Sequence, residues 1–263
     1  MSRNSVIVSL AILICLVAVP IAAKTAARVE SRPSKALNQS PAPRTVETAA
    51  ASVAPGAIAI DRSAALHAGV PTDVLNLAMG AVSCGVASGD FQAPPTLTLI
   101  DYSLPSTTPR LWVFDLHTGK LLFNELVAHG RNSGDNMATR FSDSMESKAS
   151  SIGLFRTADT YIGHNGYSLR LDGLEPGFNG HARERAIVMH GAAYVDANTA
   201  KANGRLGRSW GCPAVREAVA QQVIDTVRGG GLIFSYYPDA TWLKTSKFLN
   251  CASSTTPATL ATN

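Results

Sequence analysis

The chain has 263 residues, of which 46% are hydrophobic and 16% are charged, a balance typical of a globular protein with one well-buried domain. Its formal net charge of +4 is modest, and no run of Lys and Arg with interleaved aromatic residues indicates nucleic-acid binding. Composition therefore argues against a nucleic-acid-binding protein and leaves an enzyme or a binding domain with short appendages.

The first 55 residues carry targeting and linker signals. Arg3 precedes an almost entirely apolar run over residues 6–19, and the small residues Ala22 and Ala23 follow. This pattern predicts a secretory signal peptide over residues 1–23, whereas an uncleaved segment would tether the protein to the membrane. Residues 24–55 are rich in Ala, Pro, Ser and Thr and predict a flexible linker. We therefore expect export to the periplasm or cell envelope.

Residues 56–92 predict short helices ahead of the main domain. Apolar residues recur at helical spacing between Asp61 and Ala87, and the pattern is interrupted near Gly69-Val70-Pro71. Two short helices that pack on the edge of a domain are the expected structure.

After Pro94-Pro95 the pattern changes to short strands, which we assign to a single domain over residues 93–243. The predicted strands cover residues 96–101, 110–115, 120–128, 152–156, 168–171, 186–189 and 232–237. The polar segment 131–148 predicts a long surface loop of the kind that often lines a site. Residues 244–263 form a polar C-terminal tail.

The stretch with the clearest chemistry lies late in this domain. His190 and Gly191 follow an apolar run, and Cys212 comes after Ser209, Trp210 and Gly211. Pro213 and the helical spacing after it predict a helix that begins at Cys212, whose N-terminus would lower the pKa of the thiol and supply backbone N–H groups. A cysteine nucleophile also needs a base. The stretch therefore predicts Cys212 as the nucleophile and His190 as the base.

This stretch resembles the murein L,D-transpeptidase catalytic domain family, whose members carry His-Gly or His-Ser, a spacer, and then Ser-x-Gly-Cys. The similarity runs from Leu97 to Pro238, and it includes Ala128-His129-Gly130 and the segment 150–155. Trp210 departs from the pattern, because many members have a histidine there. The resemblance implies a mainly β (α+β) fold, with a β-sandwich-like catalytic domain, short N-terminal helices and one helix following the catalytic cysteine.

The resemblance also implies an activity. A peptidoglycan L,D-transpeptidase would form a thioester on Cys212, release D-alanine from a stem peptide, and then make a 3-3 cross-link or attach another amine. Hydrolysis at the same bond, an L,D-carboxypeptidase activity, is one alternative, and a non-catalytic peptidoglycan-binding protein is another. A general secreted cysteine peptidase is disfavoured because the papain-like Cys-Gly-x-Cys-Trp context is missing. The acceptor and the oligomeric state are not specified by the sequence.

Several neighbouring residues receive candidate roles from their position. Gly211, Gly191 and Ser209 are assigned to oxyanion binding or to orientation of the catalytic groups, with a turn hydroxyl as the equal alternative for Ser209. Contacts with substrate are assigned to Arg208, Trp210 and Tyr194. Three further arginines, Arg170, Arg183 and Arg185, are weaker candidates for a substrate carboxylate.

No metal or cofactor is expected, because the histidines His129, His164, His181 and His190 show no compact ligand spacing. After removal of the signal peptide, Cys84, Cys212 and Cys251 would remain. One arrangement pairs Cys84 with Cys251 and leaves Cys212 reactive, and three unpaired thiols are the alternative.

Overall fold

The computed structural model describes residues 58–251, so the predicted signal peptide, the linker up to residue 55 and the tail after Cys251 lie outside the described residues. Five helices and nine strands are found in the described part. In chain order they are α1 (Arg62–His67), α2 (Thr72–Ala87), β1 (Thr96–Asp101), β2 (Leu111–Asp115), β3 (Leu121–Glu125), β4 (Val127–Ala128), β5 (Gly153–Gly163), β6 (Gly166–Gly173), β7 (Val188–Ala192), α3 (Ala197–Asn203), β8 (Ala214–Arg216), α4 (Glu217–Val227), β9 (Leu232–Tyr236) and α5 (Ala240–Thr245).

The nine strands form one mixed sheet in the order β3-β2-β1-β9-β5-β6-β7-β8-β4. Two neighbouring pairs, β1 with β9 and β7 with β8, are parallel, and the other pairs are antiparallel. The two edge strands, β3 and β4, are consecutive in the chain and are separated only by Leu126, so the sheet curls until it is nearly closed. The predicted mainly β fold with a few short helices is confirmed.

Apolar side chains are buried on both faces of the central strands. In β2, Trp112 and Phe114 pack into a cluster with α1 and α2, whereas Leu111 and Val113 pack into a second cluster with α4. Successive side chains of a strand point to opposite faces, so a continuous apolar run fits a strand that is covered on both sides. This explains why the short apolar runs of the sequence predicted β2 and β9 well.

The prediction of a helix start at Cys212 is wrong. Cys212 lies in a loop, Ala214–Arg216 forms β8, and α4 begins only at Glu217. β8 pairs with β7 on one side and with β4 on the other, and these strand contacts override the local helical pattern after Pro213. The predicted helix after the cysteine is present as α4, but it begins only after β8 and not at the cysteine.

Other differences concern lengths and missed elements. β5 and β6 extend past the predicted strands to form a long hairpin, and β7 covers residues 188–192, so that His190 lies inside the strand. The short helices α3 and α5 were not predicted. The side chains of Asp196 and Asp239 cap them by accepting hydrogen bonds from backbone N–H groups of the first turn.

A disulfide joins Cys84 in α2 to Cys251, with the two Cα atoms 5.9 Å apart. Cys212 is a free cysteine. Of the two arrangements considered for the three cysteines, the structure has the one in which Cys84 pairs with Cys251 and Cys212 is left unpaired.

Candidate active site

Cys212 is held in a short loop that is anchored at both ends. On one side, Ser209 N donates to His129 O at 3.0 Å and Arg131 N donates to Ser209 O at 2.8 Å. On the other side, the parallel register of β7 and β8 places Ala214 opposite His190. The loop thus carries Cys212 to the edge of β7, close to the predicted base.

His190 and Cys212 line the same cavity, which has a volume of about 350 Å³. We call it the cysteine cavity. Its lining residues are His164, Asn165, Arg185, Ala186, His190, Tyr194, Arg208, Ser209, Trp210 and Cys212. Six of the eight predicted site residues therefore line the cavity, and Gly191 and Gly211 do not. Arg185, a weaker candidate, and His164 also line it, together with Asn165 and Ala186, to which the sequence assigned no role.

The imidazole of His190 is only 3% exposed, and its Nδ1 lies 2.8 Å from Gly191 O. Because a carbonyl oxygen only accepts, Nδ1 carries the proton and Nε2 keeps its lone pair. Burial lowers the pKa of His190, and the bond to Gly191 O opposes that shift. The result is a neutral ring whose Nε2 is able to accept a proton.

Gly191 allows helix α4 to approach β7 closely. A Cβ added at Gly191 would lie 2.8 Å from Ala220 Cβ and 3.3 Å from Glu217 Cα. The glycine therefore serves two purposes, since its carbonyl orients His190 and its missing side chain makes room for α4.

Cys212 is 9% exposed, and its Sγ lies 3.7 Å from Ala186 O, close enough to donate a weak hydrogen bond. Burial raises the pKa of the Cys212 thiol, while a hydrogen bond with the Val188 backbone and the charge of Arg185 act in the opposite direction. The expectation of a pKa lowered by a helix N-terminus is wrong, because no helix begins at this residue. The resting group is a neutral thiol.

Ala186 adopts a backbone conformation that is unusual for a residue with a side chain. Its φ is 51°, in the left-handed region. This conformation directs the carbonyl that contacts Cys212 Sγ, and the local strain is thus located at the candidate site.

Arg185 places a buried positive charge beside the cysteine loop. Its side chain is 3% exposed, and its two Nη atoms donate to two carbonyls and two hydroxyls of the segment 142–151. The acceptors are Ser142 O at 2.7 Å, Ser151 Oγ at 2.5 Å, Ser147 Oγ at 3.0 Å and Ala149 O at 2.7 Å. Burial lowers the pKa of this arginine, and Asp143 and Cys212 counteract that shift.

Gly211 fits between this arginine and the cysteine. Its φ is 122°, and an added Cβ would lie 2.7 Å from Ala149 O and 3.3 Å from Arg185 Nη2. A residue with a side chain is therefore excluded here on steric grounds.

Ser209 closes the turn that contains the cysteine. Its Oγ donates to Cys212 O at 2.6 Å and accepts from Gly211 N at 3.1 Å. Of the two roles considered for this hydroxyl, the contacts are those of a turn hydroxyl. An oxyanion could use Gly211 N–H only after that bond opens.

The predicted substrate contacts border the cavity in different ways. The Trp210 ring is 68% exposed, with Lys148 Nζ 4.8 Å from its centre. Arg208 Nη1 donates to Gly134 O and to Asp135 Oδ1, each at 2.8 Å. Burial raises the pKa of Tyr194 to about 12, and the nearby Cys212 adds to that shift.

The two other candidate arginines are engaged elsewhere. Arg170 and Arg183 form ion pairs with the exposed Asp159, and Arg183 also pairs with Asp172. Neither borders the cysteine cavity.

A buried polar network supports the loop from below, and sequence reasoning assigned no role to it. Arg110 is fully buried, and its Nη2 lies 2.8 Å from His129 Nδ1. Because a guanidinium only donates, His129 carries its proton on Nε2, which donates to Gly134 O at 3.4 Å. Ser150 Oγ donates to Gly211 O at 3.1 Å. The only sequence signal was the occurrence of His129 and Ser150 in segments that resemble the family.

No group of three or more His, Cys, Asp or Glu side chains between residues 58 and 251 is arranged to hold a metal ion. None of the helices in the same range has the length and apolar character needed to cross a bilayer.

Comparison with known proteins gives a family match. The sequence model of a family described as the L,D-transpeptidase catalytic domain matches residues 66–236. No curated protein matches the sequence significantly.

Three solved structures are similar to parts of the chain. LD transpeptidase LdtMt1 in complex with imipenem is 14% identical, with a TM-score of 0.33 over 53% of this chain and 58% of that one. An L,D-transpeptidase from Mycobacterium smegmatis is 13% identical, with a TM-score of 0.36 over 54% and 59%. A mutant of the helical cell shape determining protein Pgp2 from Campylobacter jejuni is 12% identical, with a TM-score of 0.35 over 55% and 47%. The chain thus spans less than two thirds of the length of each of these proteins.

Proposed function

Because the chain belongs to the L,D-transpeptidase catalytic domain family, we propose that it is a cysteine-dependent acyltransferase that acts on peptidoglycan stem peptides in the cell envelope. The observation that carries the proposal is the shared cavity, which is lined both by the free cysteine Cys212 and by His190, whose Nδ1 contact leaves Nε2 unprotonated. A thiol and a neutral imidazole are the nucleophile and base that acyl transfer requires.

Acylation begins at the carbonyl that follows the L-centre of the diamino acid in the stem. As Cys212 Sγ attacks, the S–C bond forms, the thiol proton moves to His190 Nε2, and the carbonyl electron pair moves to oxygen. The backbone N–H of Cys212 is the donor proposed for this oxyanion, a type of contact worth about 3 kcal/mol in known enzymes. His190 then gives its proton to the D-alanine amine as the C–N bond breaks, which leaves a thioester.

Deacylation uses the same base a second time. An incoming amine loses a proton to His190 and attacks the thioester, so that an amide forms and the thiol returns to Cys212. A second stem peptide as the acceptor gives a 3-3 cross-link, and a different amine is attached in the same way. Water as the acceptor gives a shortened stem, which is the L,D-carboxypeptidase reaction.

Arg185 takes over the electrostatic role that the sequence assigned to a helix N-terminus. Its buried guanidinium packs against Gly211, and its charge lowers the pKa of the Cys212 thiol. Beside a sulfur that is largely buried, such a fixed charge stabilises negative charge as it develops. The neutral thiol of the resting state is therefore compatible with attack once His190 accepts the proton.

The test is incubation of the chain, as wild type and as Cys212→Ala, with purified disaccharide-tetrapeptide, followed by mass spectrometry. A cross-linked dimer that has lost one D-alanine, formed by the wild type alone, is the expected product. Disaccharide-tripeptide alone would make the enzyme a carboxypeptidase. Binding of the muropeptide without any reaction would support the non-catalytic alternative.

The same thioester chemistry extends to β-lactams. We propose that carbapenems acylate Cys212, and one similar structure holds the carbapenem imipenem. Intact-mass measurement after incubation with imipenem should show one adduct on the wild type and none on Cys212→Ala. An unmodified wild type after prolonged incubation would refute the proposal.

A further inference from the structure

A second cavity adjoins the cysteine cavity, and its lining is cationic. It has a volume of about 410 Å³ and is lined by Arg131, Asn132, Ser133, Gly134, Asp135, Thr139, Arg140 and Arg208. We call it the arginine pocket. Arg208 lines both cavities, so a ligand in the arginine pocket would lie beside the cysteine cavity.

The pocket has more cations than carboxylates. Three guanidinium groups face one acidic side chain, Asp135, and that carboxylate is engaged by Arg208 at 2.8 Å. Arg131 and Arg140 have no carboxylate within 4.0 Å among residues 58–251. Two guanidinium groups at the pocket thus have no acidic partner.

Hydrogen bonds hold the backbone of the arginine pocket in place. Arg140 donates through Nε and Nη2 to Asn132 O at 2.9 and 2.8 Å, which leaves its Nη1 available. Ser133 Oγ accepts from the backbone N–H of Ser150 at 2.9 Å in a buried bond. The pocket is therefore a preformed structure, which reduces the entropy lost when a ligand binds.

The buried network described above also orients the shared arginine. Gly134 O accepts from Arg208 Nη1 at 2.8 Å and from His129 Nε2 at 3.4 Å. His129 is in turn held by Arg110, whose guanidinium is fully buried. Gly134 O thus connects the buried pair of Arg110 and His129 to Arg208, the arginine that lines both cavities.

We propose that the arginine pocket binds a carboxylate of the stem peptide while the scissile carbonyl lies over Cys212. The planar guanidinium matches a carboxylate in two parallel hydrogen bonds, and the fit is stronger than that of a neutral amide. This subsite rests on the proposed function, since it takes the substrate class from it. It gives the enzyme selectivity for free-acid stems over amidated stems.

The test is equilibrium binding by calorimetry of two disaccharide-tetrapeptides, one with free carboxylates and one fully amidated. The full chain with Cys212→Ser prevents turnover. Replacing both arginines, by Arg131→Gln and Arg140→Gln, should weaken binding of the free acid by about tenfold or more and leave binding of the amidated ligand unchanged. Ligands amidated at one carboxylate each then identify which carboxylate enters the pocket.

Arg156→Gln is the matched control, because Arg156 is an exposed arginine of β5 that lines neither cavity. Equal binding of the free acid by the double variant and its parent would overturn the proposal, and so would an equal loss of affinity in the Arg156 control. Absence of measurable binding by the parent would do the same. If the wild type forms product but the double variant binds the free acid as well as its parent does, the pocket is rejected and the proposed reaction stands. If binding depends on the two arginines but the wild type forms no product, the reaction is rejected and the pocket stands.

Discussion

Burial of Cys212 and His190 disfavours the charged form of each group, which is an anion for the thiol and a cation for the imidazole. It raises the pKa of the thiol and lowers the pKa of the imidazole, so both shifts favour the neutral pair over a thiolate-imidazolium pair. The sequence predicted these two residues as the catalytic pair because each lies in a short motif. It did not predict their protonation states, because burial depends on how β7, β8 and the loop pack together.

The rate of Cys212 alkylation by iodoacetamide should consequently rise with pH and reach its midpoint above the ordinary thiol pKa. The thiolate is the reacting form, and burial keeps its population low at neutral pH. The midpoint is measured by following alkylation with intact mass from about pH 6 to about pH 11, a range that brackets the ordinary thiol pKa. A plateau already reached at neutral pH would indicate a preformed ion pair instead.

Arg185→Gln should raise that midpoint further, because it removes the cation that lowers the pKa of Cys212. Arg185→Lys keeps the charge but loses part of the hydrogen bonding to the segment 142–151, so we expect a smaller shift. Arg183→Gln is the control, since Arg183 is exposed and pairs with Asp172. An unchanged midpoint in a folded Arg185→Gln protein would exclude this role for the charge.

The buried His129 makes stability depend on pH. Burial and the charge of Arg110 lower its pKa from 6.5 to about 4, so between these values the unfolded chain binds a proton that the folded chain does not. This contribution is fully present above pH 6.5 and is lost as the pH falls towards 4, and it amounts to about 3 kcal/mol.

The variant His129→Gln should remove this dependence, because its amide can accept from Arg110 and donate to Gly134 O without titrating. Urea unfolding at several pH values measures the free energy of unfolding for both proteins. Any excess in the free energy of unfolding of the wild type over that of the variant should shrink or reverse on acidification. A constant difference over the whole window would contradict the assignment.

At the scale of single elements, the close approach of α4 to β7 determines where His190, the proposed base, lies. Gly191→Ala would place a methyl group 2.8 Å from Ala220 Cβ, so we expect a loss of about 1–3 kcal/mol in stability together with slower turnover. Gly80→Ala is the contrasting variant, because no atom lies within 4 Å of the added Cβ in helix α2, and it should stabilise by about 0.5–1 kcal/mol. Thermal unfolding of both variants compares the two effects, and a Gly191→Ala protein as stable as the wild type would show that α4 moves away freely.

The elements also show where local sequence stops being informative. β2 and β9 were predicted because largely apolar runs suit strands buried on both faces. β8 was missed because its three residues are strand-like only through pairing with β4 and β7, which are distant in sequence. The contact of Arg185 with the segment 142–151 was missed for the same reason, since no spacing rule links them.

For the whole molecule, the disulfide between Cys84 and Cys251 connects residues 167 positions apart. Because cross-linking a long loop restricts the unfolded chain, Cys84→Ser should lower the free energy of unfolding by about 2–5 kcal/mol. Urea unfolding of Cys212→Ser and of the Cys84→Ser/Cys212→Ser protein avoids exchange with the free thiol. Equal midpoints in the two proteins would show that the bond contributes little.

All nine strands found in residues 58–251, from Thr96 to Tyr236, lie between the two bonded cysteines, so the oxidised protein contains a covalent ring that runs from Cys84 to Cys251. Cutting one peptide bond in a ring opens it without releasing a fragment. A protease that nicks an exposed loop, such as the one over residues 131–148, would leave both halves of the sheet in one molecule. The ring thus gives the protein tolerance to a single cleavage, and that tolerance disappears when the disulfide is reduced.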